Sequence, residues 1–190
     1  MTTGVVVILF NPDVEHVNAL INAFTAPEWN IVLVDNSFER TQYSASRNVT
    51  YIHCPSNVGI AQAQNIGLKR LFDNDVEHAF LLDQDSLFSP DIAHELLRQF
   101  LQLEKEHSIA AIGPSIYCQF SECVDKGVLQ KGKQVSNTLK EVKQIIASGM
   151  LISRYAFNKV GGKESTLFID GVDHEWCWRA RAKGMLIYQS

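Results

Sequence analysis

Asp83 and Asp85 stand one residue apart, with Gln84 between them, at the end of an apolar run. Two carboxylates so spaced at a strand end can point to the same side of the chain. Together they could hold one hard cation, Mg²⁺ or Mn²⁺, which takes oxygen ligands and keeps places open for phosphate oxygens and water. Such an ion neutralises charge building on a departing diphosphate. The competing reading is a turn leading into a helix at Ser89-Pro90-Asp91, and the pattern alone is too short to decide between them.

Three other loops gather residues of the same kind: Asn11, Pro12 and Asp13; Asp35 and Asn36; Asn57 and Gly59. Asp, Asn and Gly also serve plain turns. Here, however, all four loops follow successive apolar segments, and in open α/β sheets ligands bind where the carboxyl ends of strands meet loops and helix N-termini.

The segments that would position these loops are legible from periodicity. Residues 5–10 form a β-branched apolar run suited to a strand buried on both faces. Val14, Val17, Leu20, Ile21 and Phe24 recur at helical spacing before Pro27. Strands are expected at 31–34, 49–53, 79–82 and 109–112, with helices at 60–72 and 91–106 between them. Residues 145–152 read as a strand or two interrupted by Ser148-Gly149, 155–160 as a short helix, and 170–183 as a longer helix ended by Gly184. Between Tyr117 and Lys143 the periodicity fades into strand fragments and a mobile loop. The alternation implies one α/β domain with a mostly parallel central sheet flanked by helices.

Composition narrows the partners. The chain has 190 residues, 46% hydrophobic and 20% charged, enough for one domain with a substantial core. Seventeen Lys and Arg against 21 Asp and Glu give a net charge of −4, with no dense basic run to track nucleic acid. The N-terminus lacks a signal peptide's layout and no apolar stretch approaches the roughly 20 residues of a membrane span. A cytoplasmic protein is expected, with any membrane contact peripheral, at the inner face of the plasma membrane. Cys54, Cys118, Cys123 and Cys177 form no CxxC pair, so free thiols are expected and zinc is not.

Four strings occur in a telling order: Val34-Asp35-Asn36-Ser37; Asn57-Val58-Gly59 with Asn65-Ile66-Gly67; Leu82-Asp83-Gln84-Asp85-Ser86; and Phe168-Ile169-Asp170-Gly171-Val172-Asp173-His174-Glu175-Trp176-Cys177-Trp178-Arg179. In content and order the chain resembles family 2 glycosyltransferases of the GT-A fold, and the last string resembles their rhamnosyltransferase-like branch. The resemblance implies an inverting, metal-dependent transferase. Its donor would be a UDP- or dTDP-sugar, rhamnose among the candidates, and its acceptor a glycan or lipid-linked glycan in surface polysaccharide synthesis. It implies that Asn11 and Pro12 lie near the diphosphate and that Asp35 accepts a hydrogen bond from the base. Asn57, Gly59 and Gln84 would border the nucleotide, Asp83 would face ribose and metal, and Asp85 would ligate the metal. Asp173 would be the catalytic base. Gly171 and His174 depart from the residues common at those positions, which bears on acceptor choice.

A carboxylate at Asp173 suits inverting transfer, which needs a group to take a proton from the attacking hydroxyl. The plain alternative is that Asp170 or Asp173 caps the helix. Glu175 and Arg179 are spaced for an ordinary helix ion pair, and Trp176, Cys177 and Ala180 for a buried stripe. Two rivals to the transferase are a haloacid-dehalogenase-type phosphatase, suggested by Asp83 and Asp85 with Asp170 and Asp173, and a nucleotide-binding protein without activity. Because residues 185–188 begin another apolar strand just before Ser190, the chain is expected to carry the donor site and only part of the acceptor site.

Overall fold

The computed structural model describes residues 2–43, 47–115 and 132–190, together with the backbone of 117–118 and 123–124. In chain order the elements are β1 (Thr3–Leu9), α1 (Val14–Ala23), β2 (Trp29–Asp35), β3 (Val49–His53), α2 (Gly59–Phe72), β4 (His78–Asp83), α3 (Pro90–Leu103) and β5 (Ile109–Gly113). Four two-residue strands follow: β6 (Tyr117–Cys118), β7 (Cys123–Val124), β8 (Lys133–Gln134) and β9 (Lys140–Glu141). The chain closes with β10 (Met150–Ser153), α4 (Arg154–Val160), a 3-10 turn (Ser165–Leu167), α5 (Val172–Ala182) and β11 (Leu186–Gln189).

Nine strands make one sheet in the order β3-β2-β1-β4-β10-β5-β11-β9-β8. The run β3-β2-β1-β4 is parallel, as the alternating pattern requires. β10 then inserts antiparallel between β4 and β5, and β11 returns parallel to β5. The sheet is therefore parallel on one side and mixed on the other. Apolar content alone cannot report strand direction, so this mixing was not readable. The expected strand over 145–152 shrinks to its second half, because Gly149 at φ +82° bends the chain just before β10.

Side chains alternate across β1 into two cores. Val5, Val7 and Leu9 meet α1 and α3 through Val17, Ile21, Phe24, Leu96 and Phe100. Val6, on the other face, meets α2, α4 and α5 through Leu68, Leu71, Val160, Trp176 and Cys177. Helices on both faces explain why the central strands are apolar throughout. Gly67 lets α2 lie close to β1: a Cβ there would stand 2.3 Å from Val6 Cγ1, so a larger residue would push the helix away.

Helix starts follow local chemistry. Asp13 caps α1 by accepting from the Glu15 and His16 amides at 2.9 and 3.3 Å, Ser89 caps α3 ahead of Pro90, and Ser153 caps α4. Asp13 is thus committed to structure. Among the described residues no helix is long and apolar enough to cross a membrane.

Candidate active site

The loops after β1, β2, β3 and β4 meet at one sheet edge, as strand register demands: Ile8 pairs with Val34 on one side and Asp83 on the other, and Asp35 pairs with His53. Asp83 ends β4 partly buried, while Asp85 stands exposed. The Asp83 amide donates to Ser86 Oγ at 3.0 Å, and Ser86 Oγ shares a hydrogen bond of 2.9 Å with Ser148 Oγ. Burial pushes the Asp83 carboxyl up to about 6, and the negative charges of Asp173 and Asp85 add to the rise. The Ser148 hydroxyl, bonded to the carboxylate, works in the opposite direction.

Asp173 lies in the first turn of α5, yet it does not cap the helix. The residue before the helix is Gly171, and no side chain caps this N-terminus. Instead Asp173 Oδ2 accepts from the Ala147 amide at 2.7 Å and Oδ1 from the Lys163 ammonium at 3.0 Å. The carboxylate is 21% exposed, so it is held on two sides and open on a third. The helix reading of 170–183 shortens at its start because Gly171 takes a left-handed turn at φ +74°.

On the β2 side, Asp35 is fully buried. Its Oδ1 accepts the Ser37 amide at 2.9 Å and its Oδ2 the Tyr51 hydroxyl at 2.7 Å. Burial, and next the bond to Asp35, pushes the Tyr51 phenol up to about 12. Each Asp35 oxygen keeps a second lone pair. The Asn36 side chain ties this loop to the next, donating to the Gly59 carbonyl and accepting from the Val58 amide, both at 3.3 Å. Asn57 takes φ +44°, and its Oδ1 accepts the Gly59 amide at 3.1 Å. Asn11, at φ +45° beside partly buried Pro12, donates its amide to Ser37 Oγ at 2.8 Å. Gln84 spends its amide group on the Phe10 backbone in both directions.

The first turn of α2 has no side-chain cap. Its Ile60 and Ala61 amides donate to the Phe168 carbonyl at 2.8 and 3.4 Å, so the loop preceding α5 rests on this helix end. Gly59, at φ +79°, leaves room for it: a Cβ there would lie 2.8 Å from the Phe168 oxygen.

Among the described residues, no three His, Cys, Asp or Glu side chains group as a ready-made cation cage. The arrangement fits a different way of holding a hard cation. A Mg²⁺-type ion is commonly bound by one or two carboxylates plus substrate phosphates. Asp83 and Asp85 could supply two, and Asp173 adds a third negative charge close enough to be felt at Asp83. Cys54 and Cys177 are buried free thiols, while the side chains of Cys118 and Cys123 fall outside the described residues.

Comparison with known proteins bears on what this arrangement is for. Residues 12–161 match the family described as glycosyl transferase family 2. The chain belongs to that family. The match sets aside the phosphatase reading of Asp83. A dTDP-rhamnosyl transferase of Shigella flexneri, RfbF, is 28% identical over 194 residues, covering 96% of this chain; the chain spans 64% of that relative's length. Two solved structures share the fold across the whole chain, each with a TM-score of 0.68. One is GalNAc-T7 with UDP, GalNAc and Mn²⁺, at 14% identity with 42% of it covered. The other is TarS of S. aureus, at 13% identity with 35% covered. The fold is that of GT-A glycosyltransferases.

Three residues of this family 2 domain escaped sequence reasoning. Lys163 follows two glycines and reads as a solvated turn, Ser148 as a break within a strand, and Tyr51 as an alternating strand residue. Each acquires its partner only through the fold, from segments 10 to 62 positions away. The Glu175–Arg179 ion pair and the buried Trp176, Cys177 and Ala180 are as expected.

Proposed function

We propose that this domain carries the donor site and catalytic base of an inverting, metal-dependent glycosyltransferase. It would move a sugar from a UDP- or dTDP-linked donor, rhamnose foremost, to a hydroxyl of a glycan or lipid-linked glycan in surface polysaccharide synthesis. The observation that carries this reading is the state of Asp173: a first-turn aspartate that leaves its helix uncapped and is held instead where its charge is felt by Asp83. The name of the 28% identical relative supports dTDP-rhamnose. The UDP and Mn²⁺ in a structure of the same fold support a metal-assisted nucleotide site.

In this reading Asp35 orients the base, the Asn11-Pro12 and Asn57-Gly59 loops enclose the nucleotide, and Asp83 and Asp85 hold Mn²⁺ or Mg²⁺. When bound, the ion supplies positive charge opposite the leaving diphosphate. Asp173 takes the proton of the acceptor hydroxyl as its oxygen attacks the anomeric carbon from the face opposite the diphosphate, which departs with its bonding electrons and leaves the configuration inverted. Work at the inner face of the plasma membrane suits a lipid-linked acceptor.

Calorimetry with dTDP and UDP tests the donor site. Binding with Mn²⁺ should weaken on adding EDTA or on Asp85→Ala. Equal affinity in all three conditions would remove the metal from the mechanism.

A further inference from the structure

Lys163 places a cation where lysines seldom end. Its side chain is 0% exposed, although a long charged side chain ordinarily keeps its head in water. Among the described residues the ammonium meets Asp173 Oδ1 at 3.0 Å, Met150 Sδ at 3.7 Å and the Trp176 ring, whose centroid lies 4.9 Å away. Asp173 alone among them carries a charge.

The backbone beneath Lys163 is fixed as firmly as its head. Its amide donates to Asn65 Oδ1 at 2.6 Å and its carbonyl accepts from Asn65 Nδ2 at 2.8 Å, so α2 grips it on both sides. The preceding turn is held from α5: Trp176 Nε1 donates to the Gly161 carbonyl at 2.8 Å, and an Arg179 nitrogen to the Gly162 carbonyl at 2.7 Å. Such a lysine has little freedom to choose another partner.

We propose that Lys163 is the positioning residue for Asp173, fixing the carboxylate so that an unshared lone pair faces the acceptor hydroxyl. The inference rests on the reading of Asp173 as the base. Two donors from separate segments, Lys163 and the Ala147 amide, take one oxygen each and set both torsions of the side chain. The charge of Asp83 is felt at the same carboxylate, and the ammonium holds it in place against that repulsion. Lys163 itself touches no substrate. It acts through the base, as supporting groups that orient a reacting group do.

The test compares three variants in the full-length protein with a dTDP-sugar donor. Lys163→Met keeps the stem packed beside Met150 and Trp176 and deletes the charge. It should lower kcat by about 10- to 100-fold, the scale of a misplaced reacting group, while donor KM and dTDP affinity stay within about twofold. Lys163→Gln, which keeps a donor, should recover part of the loss. Adding Lys163→Met to Asp173→Asn should slow transfer no further, because the lysine acts only through the carboxylate. Wild-type kcat in Lys163→Met beside an inactive Asp173→Asn overturns the proposal. So does a loss in dTDP affinity that matches the loss in kcat, since that pattern belongs to a general folding defect. Undiminished transfer by Asp173→Asn overturns the base reading itself, whatever Lys163 does.

Discussion

Gln84 and Phe10 exchange two hydrogen bonds: the Phe10 amide donates to Gln84 Oε1 at 2.8 Å, and Gln84 Nε2 donates to the Phe10 carbonyl at 3.3 Å. A side chain thus continues the β1–β4 ladder past its last backbone pair, tying the Asn11-Pro12 loop to the carboxylates that follow β4. Gln84→Ala should therefore leave the fold intact and loosen that loop. Two exposed neutral hydrogen bonds are worth about 0.5–1.5 kcal/mol each, about 1–3 kcal/mol together, so dTDP affinity should fall by roughly 5-fold and by at most about 150-fold in calorimetry. Unchanged affinity would show that the loop holds its shape without the glutamine.

Asp173→Asn should carry a cost in stability separate from the loss of turnover proposed above. It removes the one charged partner among the neighbours of Lys163 and leaves the ammonium buried. Breaking a buried pair from one side typically costs about 3–5 kcal/mol. At roughly 2–4 °C per kcal/mol for a chain of this size, the thermal midpoint should drop on the order of 10 °C. Combining it with Lys163→Met should restore most of the loss. If the single variant melts like the wild type, the ammonium has found another partner or shed its proton.

Asp83 sets the expected pH dependence. Its pKa is raised from 3.8 to about 6, so the folded state binds that proton more tightly than the unfolded chain does. The cost of holding Asp83 ionised is full above about pH 6 and is relieved as pH falls through that value towards 3.8. On acidification this group alone therefore makes the metal-free protein more stable. Protons compete with a metal for the same carboxylate, so Mn²⁺-dependent nucleotide affinity should fall by up to about tenfold per pH unit below 6. Asp83→Asn should bind more weakly at pH 7 and lose this component of the slope, and subtracting its titration cancels protonation of the nucleotide. Equal slopes in the two proteins would place the metal elsewhere.

What was legible in the sequence was local. Apolar runs, β-branched in β1, announced β1 to β5, turn and cap chemistry located the loops between them, and Asp83, Asp85 and Asp173 stood out as candidates by spacing and by the strings around them. What was not legible depends on contacts that no periodicity encodes. Lys163 in Gly-Gly-Lys-Glu looks solvated, and the residue that holds its backbone, Asn65, lies 98 residues earlier in the chain. Gln84 was expected to border the nucleotide, but its amide is occupied by Phe10. Asp35 was expected to be a ligand group, and the structure adds that Tyr51 and Ser37 already orient it. Of the expected mobile loop between Tyr117 and Lys143, residues 119–122 and 125–131 lie outside the described residues, and the described part carries the short strands β6 to β9.

The insertion of β10 between β4 and β5 sets an order of assembly. Strands β1 to β4 can pair from within the first 83 residues, so the edge bearing Asp35, Asp83 and Asp85 has what it needs early. The other wall, Ala147, Ser148, Lys163 and Asp173, waits for a strand about seventy residues further on to slot in antiparallel. Pairings of such sequence separation are slow, because the entropy of closing the intervening chain is lost before any contact repays it. The expected order in synthesis and refolding is that the edge bearing Asp35 and Asp83 forms before the wall bearing Lys163 and Asp173. In pulse-labelled amide exchange, protection should come to β1, β2 and β4 before it comes to β10 and to the Ala147 amide that Asp173 holds.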